Sequence, residues 1–260
     1  MIGVFDSGFG GLQTLKYFKK QFPHDDFLFL ADTKHLPYGN KSKENIKALT
    51  VANINRLFEQ GCSHVVIACN TAVASVYEHW FQADTEKKLI AVTRCGLKET
   101  ILYNYKKIAV MCTQATHDMA VYPTIYKELQ GTGELYTIPT PELVPLIEAS
   151  VINYDKVYYY MELYSKYITP DTDCLIMGCT HYPVLITIFW EQFPQLKIID
   201  PGRSSIFTLD KRISQSLQKK YQGRGSLRIC CTGSVDVFKK GATKIWKTHD
   251  LPDVFHVSVG

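Results

Sequence analysis

Short apolar runs alternate with longer amphipathic stretches from one end of the chain to the other. Runs rich in Val, Ile, Leu and Phe fall at 2–5, 27–30, 64–68, 89–92, 108–111, 135–138, 174–177, 196–199, 227–231 and 254–257. Each has the length and continuity of a strand buried on both faces. Between them, stretches such as 44–58, 117–129, 154–167 and 204–217 place apolar residues every third or fourth position, the period of a helix with one face in the core. Strand alternating with helix predicts an α/β protein with largely parallel sheet. There are too many such units for one small sheet. A break near 93–99 and a return near Pro201-Gly202-Arg203 predict two doubly wound α/β lobes, residues 1–93 with 204–260 and residues 94–203.

An internal echo supports the two lobes. The run His64-Val65-Val66-Ile67-Ala68-Cys69-Asn70-Thr71 resembles Cys174-Leu175-Ile176-Met177-Gly178-Cys179-Thr180-His181, each a strand, a small residue, a cysteine and a nearby threonine. The lobes are therefore expected to be related by pseudo-symmetry. Ligands in such folds bind beyond the carboxyl ends of the strands, which puts the expected site in the cleft between the lobes.

Composition excludes several classes. The 260 residues are 46% hydrophobic, enough for a sizeable core, and the net charge of +4 comes from 29 basic and 25 acidic residues scattered without a basic face. Nucleic acid is not an expected partner. Met1-Ile2-Gly3-Val4-Phe5-Asp6 lacks the basic start of a signal peptide, and no stretch is long enough to span a bilayer, so the expected setting is the cytoplasm and no membrane. In that reducing compartment the eight cysteines are expected as thiols. None forms Cys-x-x-Cys and no His-x-x-x-His accompanies them, so no structural metal site is expected.

Cys69 and Cys179 end corresponding strands in the two lobes and could face each other across the cleft. Inversion of a stereocentre by proton transfer needs a base on one face of a carbon and an acid on the other, and a thiol/thiolate pair can exchange those roles. An ordinary thiol, with a pKa of roughly 8.5, is a minor thiolate at neutral pH, so polar neighbours are required. Asp6, at the tip of the first strand, and His181, two residues beyond Cys179, are the candidates. A strand-terminal cysteine is more often a small buried hydrophobe, the reading adopted for Cys62, Cys95, Cys112, Cys174, Cys230 and Cys231.

The glycine-rich Phe5-Asp6-Ser7-Gly8-Phe9-Gly10-Gly11 leads from strand to helix and misses both G-x-G-x-x-G and the Gly-Lys-Ser/Thr of a nucleotide loop. It reads either as backbone donors for an anion or as a tight turn needing positive φ. Pro37-Tyr38-Gly39-Asn40 reads as a turn that offers a hydroxyl and a backbone N–H. Glu142 reads as a helix-start acid. His35, His64, His79 and His117 have no partner in sequence, and Tyr158-Tyr159-Tyr160 reads as packing rather than as a stacking platform.

These motifs together resemble bacterial glutamate racemases, within the aspartate/glutamate racemase superfamily. The resemblance spans nearly the whole chain and rests on Asp6-Ser7-Gly8-Phe9-Gly10-Gly11, Pro37-Tyr38-Gly39, Ala68-Cys69-Asn70-Thr71-Ala72, Pro145-Leu146-Ile147-Glu148 and Gly178-Cys179-Thr180-His181-Tyr182-Pro183. It implies racemisation of glutamate between two α/β lobes without pyridoxal phosphate, metal or other cofactor. Cys69 and Cys179 would be the two bases, Asp6 assisting the first and His181 with Glu148 the second. Ser7, Tyr38, Gly39, Asn70, Thr71 and Thr180 would hold the substrate's carboxylates and ammonium. The resemblance also implies a homodimer that supplies D-glutamate for peptidoglycan.

Two departures stand out. Where such racemases run Gly-Val-hydrophobic-Glu-Pro, this chain has Ala91-Val92-Thr93-Arg94-Cys95, so a glutamate becomes Arg94 at the expected lobe junction. The change is either a compensated swap or an altered lobe contact, dimer contact or substrate range. Cys112 stands where Gly-Thr-x-x-Thr has its glycine, which puts the local loop shape in question. Three alternatives stay open: aspartate or another acidic amino acid as substrate, a hydrolase or amidotransferase using Cys179 with His181, and a binding or regulatory protein that keeps the scaffold.

Overall fold

The computed structural model describes residues 1–80, 88–216, 224–246 and 251–258. Every apolar run named above becomes a strand. The first sheet contains β1 (Ile2–Asp6), β2 (Phe27–Ala31), β3 (His64–Ile67), β4 (Leu89–Ala91), β9 (Leu227–Cys231) and β10 (Val254–His256), in the order β10-β9-β2-β1-β3-β4. The second contains β5 (Lys107–Cys112), β6 (Glu134–Pro139), β7 (Cys174–Gly178) and β8 (Lys197–Ile199), in the order β6-β5-β7-β8. All pairings are parallel.

The order β2-β1-β3-β4 in one sheet repeats as β6-β5-β7-β8 in the other, so the echo seen in the sequence is a repeated topology. Each sheet reverses its winding between its first and third strands, β1/β3 and β5/β7. That reversal opens a crevice at the carboxyl ends. Asp6 ends β1, Cys69 follows β3, and Cys179 follows β7, which puts these side chains beside the two crevices.

Strand side chains alternate between two apolar layers. Ile2, Val4, Phe27 and Phe29 of the first sheet join Met111, Leu175 and Met177 of the second in one core. Phe5, Leu28, Leu30, Val65 and Ile67 join Ile108, Val110 and Ile176 in the other. The helices that cover these faces are α1 (Leu12–Gln21), α2 (Lys43–Glu59), α3 (Asn70–Trp80), α4 (Val92–Leu102), α5 (Gln114–Asp118), α6 (Val121–Glu128), α7 (Leu143–Glu148), α8 (Tyr154–Ser165), α9 (Ile186–Gln192), α10 (Pro201–Ser216) and α11 (Val235–Ala242). Among the described residues no helix is long and apolar enough to cross a membrane.

Several expectations need correction. The stretch 93–99, where the passage between lobes was expected, is helical and forms the body of α4, one of the two helices that cross between the sheets. It packs on α10, the other crossing, where Gly96 lets Pro201 approach to 3.1 Å of the position a Cβ would take. The helical stretch 117–129 is split into α5 and α6, because Ala120 adopts a left-handed conformation with φ of 48°. Of the three consecutive tyrosines only Tyr160 packs against the core, while Tyr159 is 64% exposed. The periodic stretch 204–217 is α10 as far as Ser216, and Leu217 lies outside the described residues, as does the side chain of His79.

Candidate active site

A cavity of about 230 Å³ opens between the carboxyl ends of the two sheets. Ser7, Tyr38, Gly39, Cys69, Asn70 and Thr71 line it from the first sheet's side, and Glu148, Cys179, Thr180 and His181 from the second's. Asp6 lies just behind this lining and is fully buried. The structure thus gathers the residues expected from the sequence around one cavity. The detailed roles differ from expectation at three places.

The first concerns the glycine turn. Neither Gly8, Gly10 nor Gly11 has positive φ. Gly10 and Gly11 are required by close approach: a Cβ on Gly10 would fall 2.6 Å from Thr180 Oγ1 and 2.9 Å from His181 Nδ1, and one on Gly11 would fall 2.5 Å from Asp6 Cβ. The turn is where the first lobe's backbone meets the Cys179-Thr180-His181 segment of the second. Its N–H groups serve Asp6 rather than a free anion, Gly8 donating to Oδ2 at 3.0 Å.

The second concerns hydroxyls expected to face a substrate. Tyr38 is buried and donates to Asp32 Oδ2 at 2.7 Å, and Thr180 donates to Asp6 Oδ1 at 3.1 Å. Thr71, Thr113 and Thr116 form a triangle of hydroxyls with sides of 2.9, 3.0 and 2.9 Å. Asn70 Oδ1 accepts from Thr93 at 3.1 Å and Tyr122 at 2.9 Å, which leaves its amide N–H groups for the cavity. Sequence reasoning missed Asp32, which also takes His35 Nδ1 at 2.9 Å and Thr232 at 2.7 Å. The signal for it was its position, directly after β2 as Asp6 ends β1. Asn40, Thr113, Gln114 and Thr140 also line the cavity and were not foreseen.

The third concerns the thiols, whose surroundings are not equivalent. Cys69 precedes α3 and its sulfur accepts the Ala72 N–H at 3.4 Å, with Ser7 Oγ at 3.4 Å. Burial, reinforced by the charge of Asp6, nevertheless pushes the thiol up to about 12. Asp6 is itself raised from the usual carboxylate range by burial, against the charge of His181 and hydrogen bonds from Gly8, Gly11 and Thr180. On the other side, Cys179 Sγ lies 3.7 Å from His181 Nδ1, and His181 Nε2 lies 3.2 Å from Glu148 Oε1. The second contact is an ion pair without hydrogen-bond alignment. Burial alone would strip the imidazole of its proton, but Cys179 and Glu148 outweigh it and hold His181 up at about 10. Phe9 packs edge-on against that ring at 4.8 Å.

The chain is 33% identical over 261 residues to the glutamate racemase of Thermoanaerobacter pseudethanolicus, covering 99% of this chain and 97% of that one. The chain belongs to the glutamate racemase family. No protein-family model matches it. Among solved structures, glutamate racemase from Thermus thermophilus in complex with β-chloro-D-alanine superimposes with a TM-score of 0.86 at 25% identity, over 99% of this chain and 96% of that one. The glutamate racemase isoform RacE1 of Bacillus anthracis shares the fold with a TM-score of 0.89 at 24% identity, over 100% of this chain and 97% of that one. The family comprises isomerases acting on amino acids, and the two doubly wound α/β lobes are its fold.

Both departures from the family pattern have a place in this framework. Arg94 does not line the cavity; its Nη1 donates to Tyr77 OH at 2.6 Å and to Glu128 at 3.4 Å, tying α4 and α3 to α6. It is a lobe contact. Cys112 ends β5 in regular pairing with Gly178, and Thr113 after it still caps α5 by accepting the Thr116 N–H at 3.2 Å. No glycine is needed at 112. Among the other single residues, Glu142 accepts a hydrogen bond from Tyr164, His64 contacts Ser63 at 3.2 Å and His117 contacts Thr137 at 2.6 Å, all away from the cavity lining.

Proposed function

We propose that this protein interconverts L- and D-glutamate by proton transfer between Cys69 and Cys179, without a cofactor. The observation that carries the reading is the presence of both thiols in one cavity, each following the third strand of its own sheet and each backed by its own polar group. Bound between them, the α-carbon would lose its proton to a thiolate on one side and gain one from a thiol on the other, leaving the two sulfurs with exchanged protonation.

The resting arrangement of protons follows from the surroundings. Cys69, raised to about 12, holds its proton and is the acid. His181, held protonated beside Cys179 with Glu148 behind it, would supply the counter-charge to a thiolate formed there, which suits Cys179 to the part of base. Among the described residues the cavity lining contains no lysine or arginine. Beside the His181 imidazolium, substrate carboxylates would be held by neutral donors, among them Ser7, the Asn70 amide, the Thr71 and Thr113 hydroxyls and backbone N–H groups at Gly39 and Thr180; Tyr38 shapes the same wall. The 1–93 with 204–260 and 94–203 division, read from the alternation of strands and helices, belongs to the same proposal, as do a homodimeric assembly and supply of D-glutamate to peptidoglycan, which rest on the family resemblance.

The test is proton exchange in deuterated buffer. L-Glutamate should lose its α-hydrogen signal as the D-isomer appears, with no added cofactor, and aspartate assayed alongside should react more slowly. Full activity in either Cys69→Ala or Cys179→Ala would overturn the two-thiol scheme. A stable acyl-enzyme at Cys179 would point instead to nucleophilic chemistry by the Cys179–His181 pair.

A further inference from the structure

Lys244, just beyond α11 in the first lobe, reaches across to α7 in the second. Its Nζ donates to the carbonyls of Ile147 and Ala149, each at 2.5 Å, and those two residues flank Glu148. The last carbonyls of a helix have no partner within it, and a cation placed there satisfies them and opposes the helix dipole. The same ammonium stands 5.7 Å above the ring of Phe9, whose edge meets the His181 imidazole. Burial lowers the affinity of Lys244 for its proton, and the neighbouring charge of Glu148 opposes that loss.

Glu148 needs such support. It ends a helix of six residues, and its side chain is 24% exposed. Its Oε1 faces His181 Nε2 at 3.2 Å but makes no aligned hydrogen bond. Where the carboxylate sits is therefore decided by the backbone that carries it, and Lys244 holds that backbone on both sides.

We propose that Lys244 is a positioning residue for the Cys179 side of the site: by clamping the carbonyls on either side of Glu148, it fixes the carboxylate against His181 and makes the Cys179–His181–Glu148 unit depend on closure of the two lobes. This rests on the reading of that unit as the acid/base group. Lys244 touches no reacting atom. Its effect passes through Glu148 and then His181 to the sulfur.

The test uses the full-length protein as wild type, Lys244→Met, Lys244→Arg, Glu148→Gln and the Lys244→Met/Glu148→Gln double variant. Racemisation gives kcat and KM, and iodoacetamide labelling mapped to peptides gives the alkylation rates of Cys69 and Cys179 separately. Lys244→Met should lower kcat about tenfold, in the range that small misplacement of a catalytic group costs, while KM moves less than about threefold. Cys179 should alkylate more slowly by a similar factor with Cys69 little changed, and Lys244→Arg, which can still donate to both carbonyls, should restore both readouts. In the Glu148→Gln background, Lys244→Met should add less than about twofold, since the two act in series.

Equal slowing of both thiols, or the same loss with and without Glu148, would make Lys244 a mere lobe fastener and overturn the proposal. If Lys244→Met does not fold, Lys244→Gln is read in the same way. The alkylation readout does not depend on the substrate: a wild-type protein that fails to racemise glutamate defeats the proposed function, whereas loss of the selective effect on Cys179 defeats the role of Lys244.

Discussion

The two thiols occupy corresponding places in two lobes of the same topology, yet their surroundings are opposite in sign. Cys69 has a helix N-terminus, a serine hydroxyl and a buried carboxylate, Asp6, and the outcome is a thiol pushed up to about 12. Cys179 has an imidazole held protonated by Glu148 and by the sulfur itself. Burial acts on both sides, so it does not make the difference; the charged neighbour does, Asp6 at the end of β1 for one thiol and His181, two residues further along the chain, for the other. A repeated fold thus yields two groups of the same chemical type in unlike surroundings, as the proposed reaction, which gives a proton with one and takes with the other, requires.

Removing either sulfur should have the largest effect. Cys69→Ala and Cys179→Ala are each expected to lower kcat/KM by roughly 10⁴-fold, the upper end of what a positioned acid or base contributes. The contrast between the sides appears in reactivity: near neutral pH, iodoacetamide should label Cys179 faster than Cys69. Faster labelling of Cys69 would reverse the assignment of resting acid and base.

Next comes the counter-charge. His181→Asn should lower kcat by about 10²-fold, within the range for a group that assists proton transfer. It should also flatten the dependence of stability on pH. The folded-state pKa of His181, about 10, lies above its ordinary value near 6.5, so the stabilisation is fully present below about 6.5 and is lost as pH rises through about 10. Denaturant midpoints measured across that window should fall in the wild type and stay level in His181→Asn.

Asp6 carries the opposite charge with the same direction of pH dependence. Its folded-state pKa is raised, so folding favours the protonated form and stability is lost as pH rises above the ordinary carboxylate value. At neutral pH, well above that value, the buried carboxyl is therefore a cost. Asp6→Asn should raise Tm by about 2–4 °C, what 1 kcal/mol is worth in a protein near this size, while lowering kcat by about tenfold. A variant both less stable and less active would show that the hydrogen bonds from Gly8 and Thr180 outweigh the desolvation of Asp6.

These outcomes depend on features that the sequence displayed unequally. The central strands were legible because their side chains are buried on both faces, so runs such as 27–30 and 174–177 are apolar without interruption, and the two cysteines were legible because each follows a run of that kind. The break in helix at Ala120 was not, since nothing in the residue type signals a left-handed conformation. The role of the glycine turn was misread because close approach to Thr180 and His181 involves residues some 170 positions away in the chain. Tyr38 announced a hydroxyl, but only the folded chain shows it spent on Asp32. Contacts between lobes, Lys244 with α7 above all, carry no local pattern and emerge only from the packing of one lobe on the other.

Arg94 gives the smallest expected effect and the sharpest check on where the asymmetry arises. It lies outside the cavity and joins the lobes through Tyr77 and Glu128, with its side chain 25% exposed and that of Glu128 41% exposed. Solvent screens such a pair, so Arg94→Met should lower stability by about 1 kcal/mol or less, read as a shift in denaturant midpoint. If the difference between the two thiols is set locally, by Asp6 on one side and His181 on the other, their relative alkylation rates should remain unchanged in Arg94→Met. A change in that ratio would mean that the junction at Arg94 sets how the lobes meet over the cavity, and that the two sides differ because of lobe placement rather than because of their own neighbours.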